Sequence, residues 1–133
     1  MPLTTRLVAL VLSLCIAFPA MADSYWNHNG SLMRLSAHGN ARDFYYAAPR
    51  PGIVNAGVRP GTLFFDGWRD GNRYYGSARV FSPNCGASTF AIEGWVASET
   101  HVILEGWRPV FHNCHPTGDQ TWERLEFIYS YSD

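Results

Sequence analysis

An all-β antiparallel domain behind a short export leader is the fold class this sequence predicts, and three observations predict it. From residue 23 onward no stretch of ten residues carries an apolar period of 3.6. Two-residue alternation and glycine-punctuated aromatic runs take its place. Turn-forming pairs such as Asp70-Gly71 recur between those runs and keep the links short. The architecture expected is a small up-and-down barrel or a barrel-like sandwich of about seven or eight strands, in one domain over 23–133, preceded by a signal helix over 1–22 that is cleaved.

The leader is tripartite. Residues 1–6 carry one charge, Arg6, and residues 7–18 are an apolar run. Pro19-Ala20-Met21-Ala22 then offers small residues for cleavage before Asp23. The apolar run is shorter than the ~20 residues a membrane span needs, and no second run follows, so no membrane span is expected. Cys15 follows Leu14, where a lipoprotein signal would want a small residue, so lipidation is not expected. The destination is periplasmic or secreted. Cys85 and Cys114 remain in the exported part and are expected to form one disulfide.

Strands are expected over 31–37 and 42–47, with a turn at His38-Gly39-Asn40 between them. The segment 49–61 holds Pro49, Pro51 and Pro60 and reads as a connector, since proline cannot donate to a central ladder. Strands over 62–69 and 73–81 flank Asp70-Gly71, read as a type I′ turn. Strands over 89–96 and 101–107 make a second hairpin, and 123–131 is the last strand. An internal echo supports this order. Thr62-Leu63-Phe64-Phe65-Asp66-Gly67-Trp68 matches Thr89-Phe90-Ala91-Ile92-Glu93-Gly94-Trp95 in pattern, and Glu105-Gly106-Trp107 repeats the ending.

Strand alternation then assigns faces. Leu63, Phe65, Phe90, Ile92, Val102 and Leu104 share one face with Gly67, Gly94 and Gly106, which would let an opposing layer approach. That face is the expected core. Asp66, Trp68, Glu93, Trp95, Glu105 and Trp107 share the other, an acid-and-tryptophan face, and are the candidate ligand-binding residues. Indole rings stack on sugar or cationic faces, and carboxylates accept hydrogen bonds. The plainer alternative is a solvated sheet face with tryptophans covering glycine gaps.

Charge removes several function classes. The chain has no lysine, which excludes Schiff-base chemistry. Arg6 falls in the leader, leaving nine arginines against eleven acids, so no nucleic-acid partner is expected. No G-x-S-x-G, H-E-x-x-H, P-loop or C-x-x-C occurs. His112, Cys114 and His115 have metal-ligand chemistry, but a disulfide at Cys114 removes the thiolate, so no metal and no cofactor is expected.

Trp26-Asn27-His28-Asn29-Gly30-Ser31, leading into a first strand, resembles the opening of avidin-type barrels over about ten residues. Biotin binding is not implied, because the later chain lacks that family's run of ligand-contacting residues. The wider pattern is similar to small exported bacterial β-proteins of uncharacterised function. It rests on this opening with Pro49-Arg50-Pro51-Gly52, Gly61-Thr62-Leu63-Phe64-Phe65, Tyr75-Gly76-Ser77-Ala78 and the two cysteines. That resemblance implies export and a shared fold, with no activity. The leading expectation is therefore a non-enzymatic binding or inhibitory module for a small molecule, glycan or protein. The alternatives are an interaction protein that associates through its aromatic face, and a small hydrolase using Asp66, Glu93 or Glu105, whose carboxylates would have to pair across a cleft.

Overall fold

Hydrogen-bonding groups at the edge of a sheet are a liability, and this chain removes the edge by closing the sheet on itself. A computed structural model describes residues 23–133; the leader, with Cys15, lies outside the described residues. The strands are β1 (Ser24–His28), β2 (Ser31–His38), β3 (Ala41–Ala48), β4 (Leu63–Asp70), β5 (Arg73–Ser82), β6 (Gly86–Ser98), β7 (His101–His112) and β8 (His115–Ser132). Each pairs antiparallel with the next, and β1 pairs with β8 to close an up-and-down barrel. The barrel alternative is therefore the correct one of the two expected.

Three details differ from the sequence reading. First, the short strand β1 was not delimited there, although it closes the barrel. Second, the turn after β4 is shifted by one residue. Asp70 pairs with Arg73, the loop is Gly71 and Asn72, and of these only Gly71 has positive φ. A type I′ turn needs positive φ at both central residues, so that assignment fails. Third, β6, β7 and β8 are longer than expected, because the ladders continue through residues without clear alternation.

The core is mostly aromatic. Phe44, Phe65 and Phe127 are fully buried, and the rings of Phe44 and Phe127 stack with centroids 4.1 Å apart. Phe65, Phe90, Ile92, Val102 and Leu104 are buried as expected. Leu63 is only half-buried, and Phe64 is buried in its place. The register shifts between Phe44 and Tyr45 against β4, and this bulge turns two successive phenylalanines inward. The glycines also act differently from expectation. A Cβ on Gly94 would strike the Ile103 carbonyl oxygen, and one on Gly106 would lie 2.6 Å from the Ala91 oxygen. They admit the backbone of the neighbouring strand rather than an opposing layer.

The up-and-down order places the β1–β2 turn, the connector after β3 and the tips of β5–β6 and β7–β8 at one end, here the upper end. The connector contains α1 (Pro51–Val54), with proline at its start, and folds over that end. Val58 from it is fully buried, and the Arg50 amide donates to Ser31 Oγ at 2.9 Å. The lower end holds the turns at 39–40, 71–72 and 99–100. Among the described residues no helix is long and apolar enough to cross a membrane.

Candidate binding site between two clasped hairpin arms

The site arises where strands stop pairing. β4 and β5 part company beyond Phe65 and Ala78, while β5 stays paired with β6 out to Ser82 and Gly86. β6 and β7 part beyond Glu93 and Glu105, while β7 stays paired with β8 out to His112 and His115. Two hairpin arms therefore project past the barrel body with no ladder between them. A disulfide joins their tips, Cys85 to Cys114, as the cysteine count predicts.

Between the arms lies a depression of about 830 Å³. Ala91 and Ile92 of β6 contribute to its floor, Glu93 and Glu105 stand side by side at its base, and Trp107 and Trp122 form one wall. Trp107 and Trp122 are register partners, and their rings meet edge-to-face with centroids 5.1 Å apart. They are 57% and 50% exposed, against 0–8% for the phenylalanines of the core named above. Tyr75 of β5 also lines the depression.

Each carboxylate at the base has its own arginine. Arg73 reaches Glu93 at 2.9 Å, and its guanidinium also lies 4.8 Å from the centre of the Tyr75 ring. Arg124 reaches Glu105 at 2.9 Å and Glu126 at 3.2 Å. These pairs are solvent-exposed and contribute little stability, but they set the direction of the carboxylates. Oxygens not used by arginine remain free to accept.

The six residues expected to share one face do all avoid the core, but they fall into separate places. Glu93, Glu105 and Trp107 line the cleft. Trp95 sits below them in a small adjoining depression that also includes both glutamates and Trp122. Asp66 and Trp68 lie outside it, in a shallow hollow with Asp43 that borders the cleft at Gly76 and Ser77. Asp43 and Asp66 are register partners on β3 and β4, and Arg79 pairs with Asp66 at 2.8 Å. Burial, and next the Asp66 charge, push the Asp43 carboxyl above its usual value.

Tyr75, Pro109, Gln120 and Trp122 belong to the cleft and were missed. Trp122 was detectable, since Trp122, Arg124 and Glu126 alternate with Glu123, Leu125 and Phe127 and extend the last strand backward. His112 and His115 are exposed register partners at one arm tip, and the disulfide takes the Cys114 thiol from beside them. Among the described residues no group of three His, Cys, Asp or Glu side chains is placed to hold a metal ion. No protein-family model matches the chain, and comparison with curated proteins and with solved structures finds no match.

Proposed function

We propose that the exported chain is a non-enzymatic binding module whose ligand lies in the cleft between the two arms. The observation that carries this reading is the pair of exposed tryptophans, Trp107 and Trp122, standing over a cavity of about 830 Å³. That size falls within the usual range for ligand sites, and apolar walls with a few polar groups are their usual lining. The chemistry favours a neutral glycan. Indole faces cover the C–H face of a sugar ring, and Glu93 and Glu105 accept from its hydroxyls. Export is supported by the leader and by the disulfide, which forms and persists in oxidising compartments.

The test uses protein recovered after export, whose intact mass should begin at Asp23. Tryptophan fluorescence is followed during titration with a panel of neutral oligosaccharides. Saturable binding is expected, and Trp107→Ala or Trp122→Ala should each weaken it by about tenfold or more. Melting should change little, because both rings are half-exposed. Unchanged affinity in both variants would reject the cleft.

A second reading, association with a protein through the aromatic face, is favoured by one further observation. From Tyr75 in the cleft, Trp68 on β4 and Trp95 on β6 continue the exposed aromatic surface. Sedimentation that depends on concentration and is abolished by Trp68→Ala would support it over the glycan. Hydrolysis is the least supported of the three readings. Asp66 lies outside the cleft, and Glu93 and Glu105 are each held by an arginine.

A further inference from the structure

A second cavity, of about 260 Å³, opens at the upper end of the barrel, on the opposite side of Phe90 from the cleft. Its lining includes His28, Tyr46, Arg50, Arg79, Arg108 and Glu123. Three arginines and one acid thus contribute to it. Arg108 donates to Glu123 through Nε at 3.1 Å, and Arg79 to Asp66 through one terminal nitrogen at 2.8 Å. An arginine offers five donors, so both keep most of theirs. The Arg50 guanidinium has no ion pair or hydrogen bond among the described residues.

His28 supplies the opposite polarity. It is 5% exposed, with its ring stacked on Phe127 at a centroid distance of 4.7 Å and tilted against Phe64 at 5.1 Å. Nδ1 lies 3.0 Å from the Glu126 carbonyl oxygen, which only accepts, so Nδ1 carries the proton. Burial lowers the imidazole below its ordinary value and keeps it neutral. Nε2 is then a lone-pair acceptor, and no hydrogen bond to it occurs among the described residues. As a side chain on the cavity lining, His28 can offer that lone pair to a ligand donor. Tyr46, 2% exposed and pushed up to about 12 by burial, stays a neutral phenol on the same lining.

We propose that this cavity binds a small hydroxylated oxyanion, with its negative charge on Arg50 and one hydroxyl donating to Nε2 of His28. Guanidinium is the side chain best matched to carboxylate and phosphate oxygens. A stacked imidazole with a fixed tautomer selects for a hydroxyl beside the anionic group. The volume equals that of roughly nine waters at ~30 Å³ each, so the ligand is small. This site is separate from the cleft, and neither reading depends on the other.

The test titrates the exported protein with gluconate, glucose 6-phosphate, glucose and acetate, using calorimetry and the nitrogen resonances of the His28 ring. Gluconate or glucose 6-phosphate is expected to bind one to one and to shift Nε2, and whichever binds assigns the acid as carboxylate or phosphate ester. Glucose lacks the charge and acetate the hydroxyl, so both should bind at least tenfold more weakly. Arg50→Gln should weaken binding about tenfold or more without touching the core. His28→Phe keeps the aromatic stack and should lose the preference for gluconate over acetate, with a melt showing that the variant is folded. Binding of neither hydroxylated anion, a still His28 resonance, or full affinity in Arg50→Gln would overturn the proposal.

Discussion

The barrel body and the clasped arms are made of the same strands, yet they are held in different ways. In the body every strand has a partner on both sides, and the interior is filled by Phe44, Phe65, Tyr74, Leu104 and Phe127. In the arms each hairpin is paired only within itself, and the aromatics Trp107 and Trp122 face out. There the disulfide between Cys85 and Cys114 stands in for the missing ladder. Stability resides where the sheet is closed, and recognition chemistry is available where it is open. The same partition explains why two cavities of different character, one aromatic and acidic, one rich in arginine, flank the opening.

Core truncation is the strongest way to break this contrast. Phe65→Ala, in the middle of the body, should lower the unfolding free energy by roughly 3–5 kcal/mol. Phe90 is 8% exposed and lies between the two cavities, so its pocket relaxes into space already open, and Phe90→Ala should cost less. Urea unfolding of both variants measures the difference; equal costs would mean that the arm base is packed as tightly as the body.

The disulfide comes next. It closes a loop with a sequence separation of 29, worth roughly 3–4 kcal/mol on the chain-entropy account. The loss in Cys85→Ser with Cys114→Ser should be concentrated in the arms. Amide exchange is expected to accelerate over 79–92 and 106–122, while Phe44 and Phe127 amides stay protected. Uniform acceleration across the barrel would show that the arms and body unfold as one unit.

The smallest effect sharpens the contrast at the upper end. His28 has a folded value below its ordinary 6.5, first because of burial and also because of the Arg50 charge, with Glu123 and the Glu126 carbonyl acting the other way. The unfolded chain therefore takes up a proton that the folded chain resists. Stability should fall as pH drops through about 6.5 and level off below the lowered folded value. His28→Phe should flatten that part of the pH profile, and an unchanged slope would assign it to other groups.

Alternation alone made much of this legible. Phe65, Phe90, Ile92, Val102 and Leu104 are inside and Trp68, Trp95 and Trp107 outside because a strand allows only two directions. It failed at Leu63 and Phe64, where a bulge against β3 shifts the phase, since a bulge depends on the partner strand. The acid-and-tryptophan face was visible as residue types, but its division into a cleft and a separate hollow was not. The cleft follows from where β6 leaves β7, and the hollow lies on β3, β4 and β5.

Composition, period and cysteine count therefore determined the class of this protein: antiparallel, all-β, one disulfide, with the acids and indoles of the repeated strands directed away from the core. Each of those properties is local or combinatorial, set by a residue and its near neighbours. Only the tertiary structure decided that the sheet closes and that two hairpins overrun it. It also decided that His28, from the first strand, lines one cavity with Arg50 and Arg108 at the upper end. Those are meetings between residues far apart in the chain, and the free energy that selects them comes from burying the shared aromatic core.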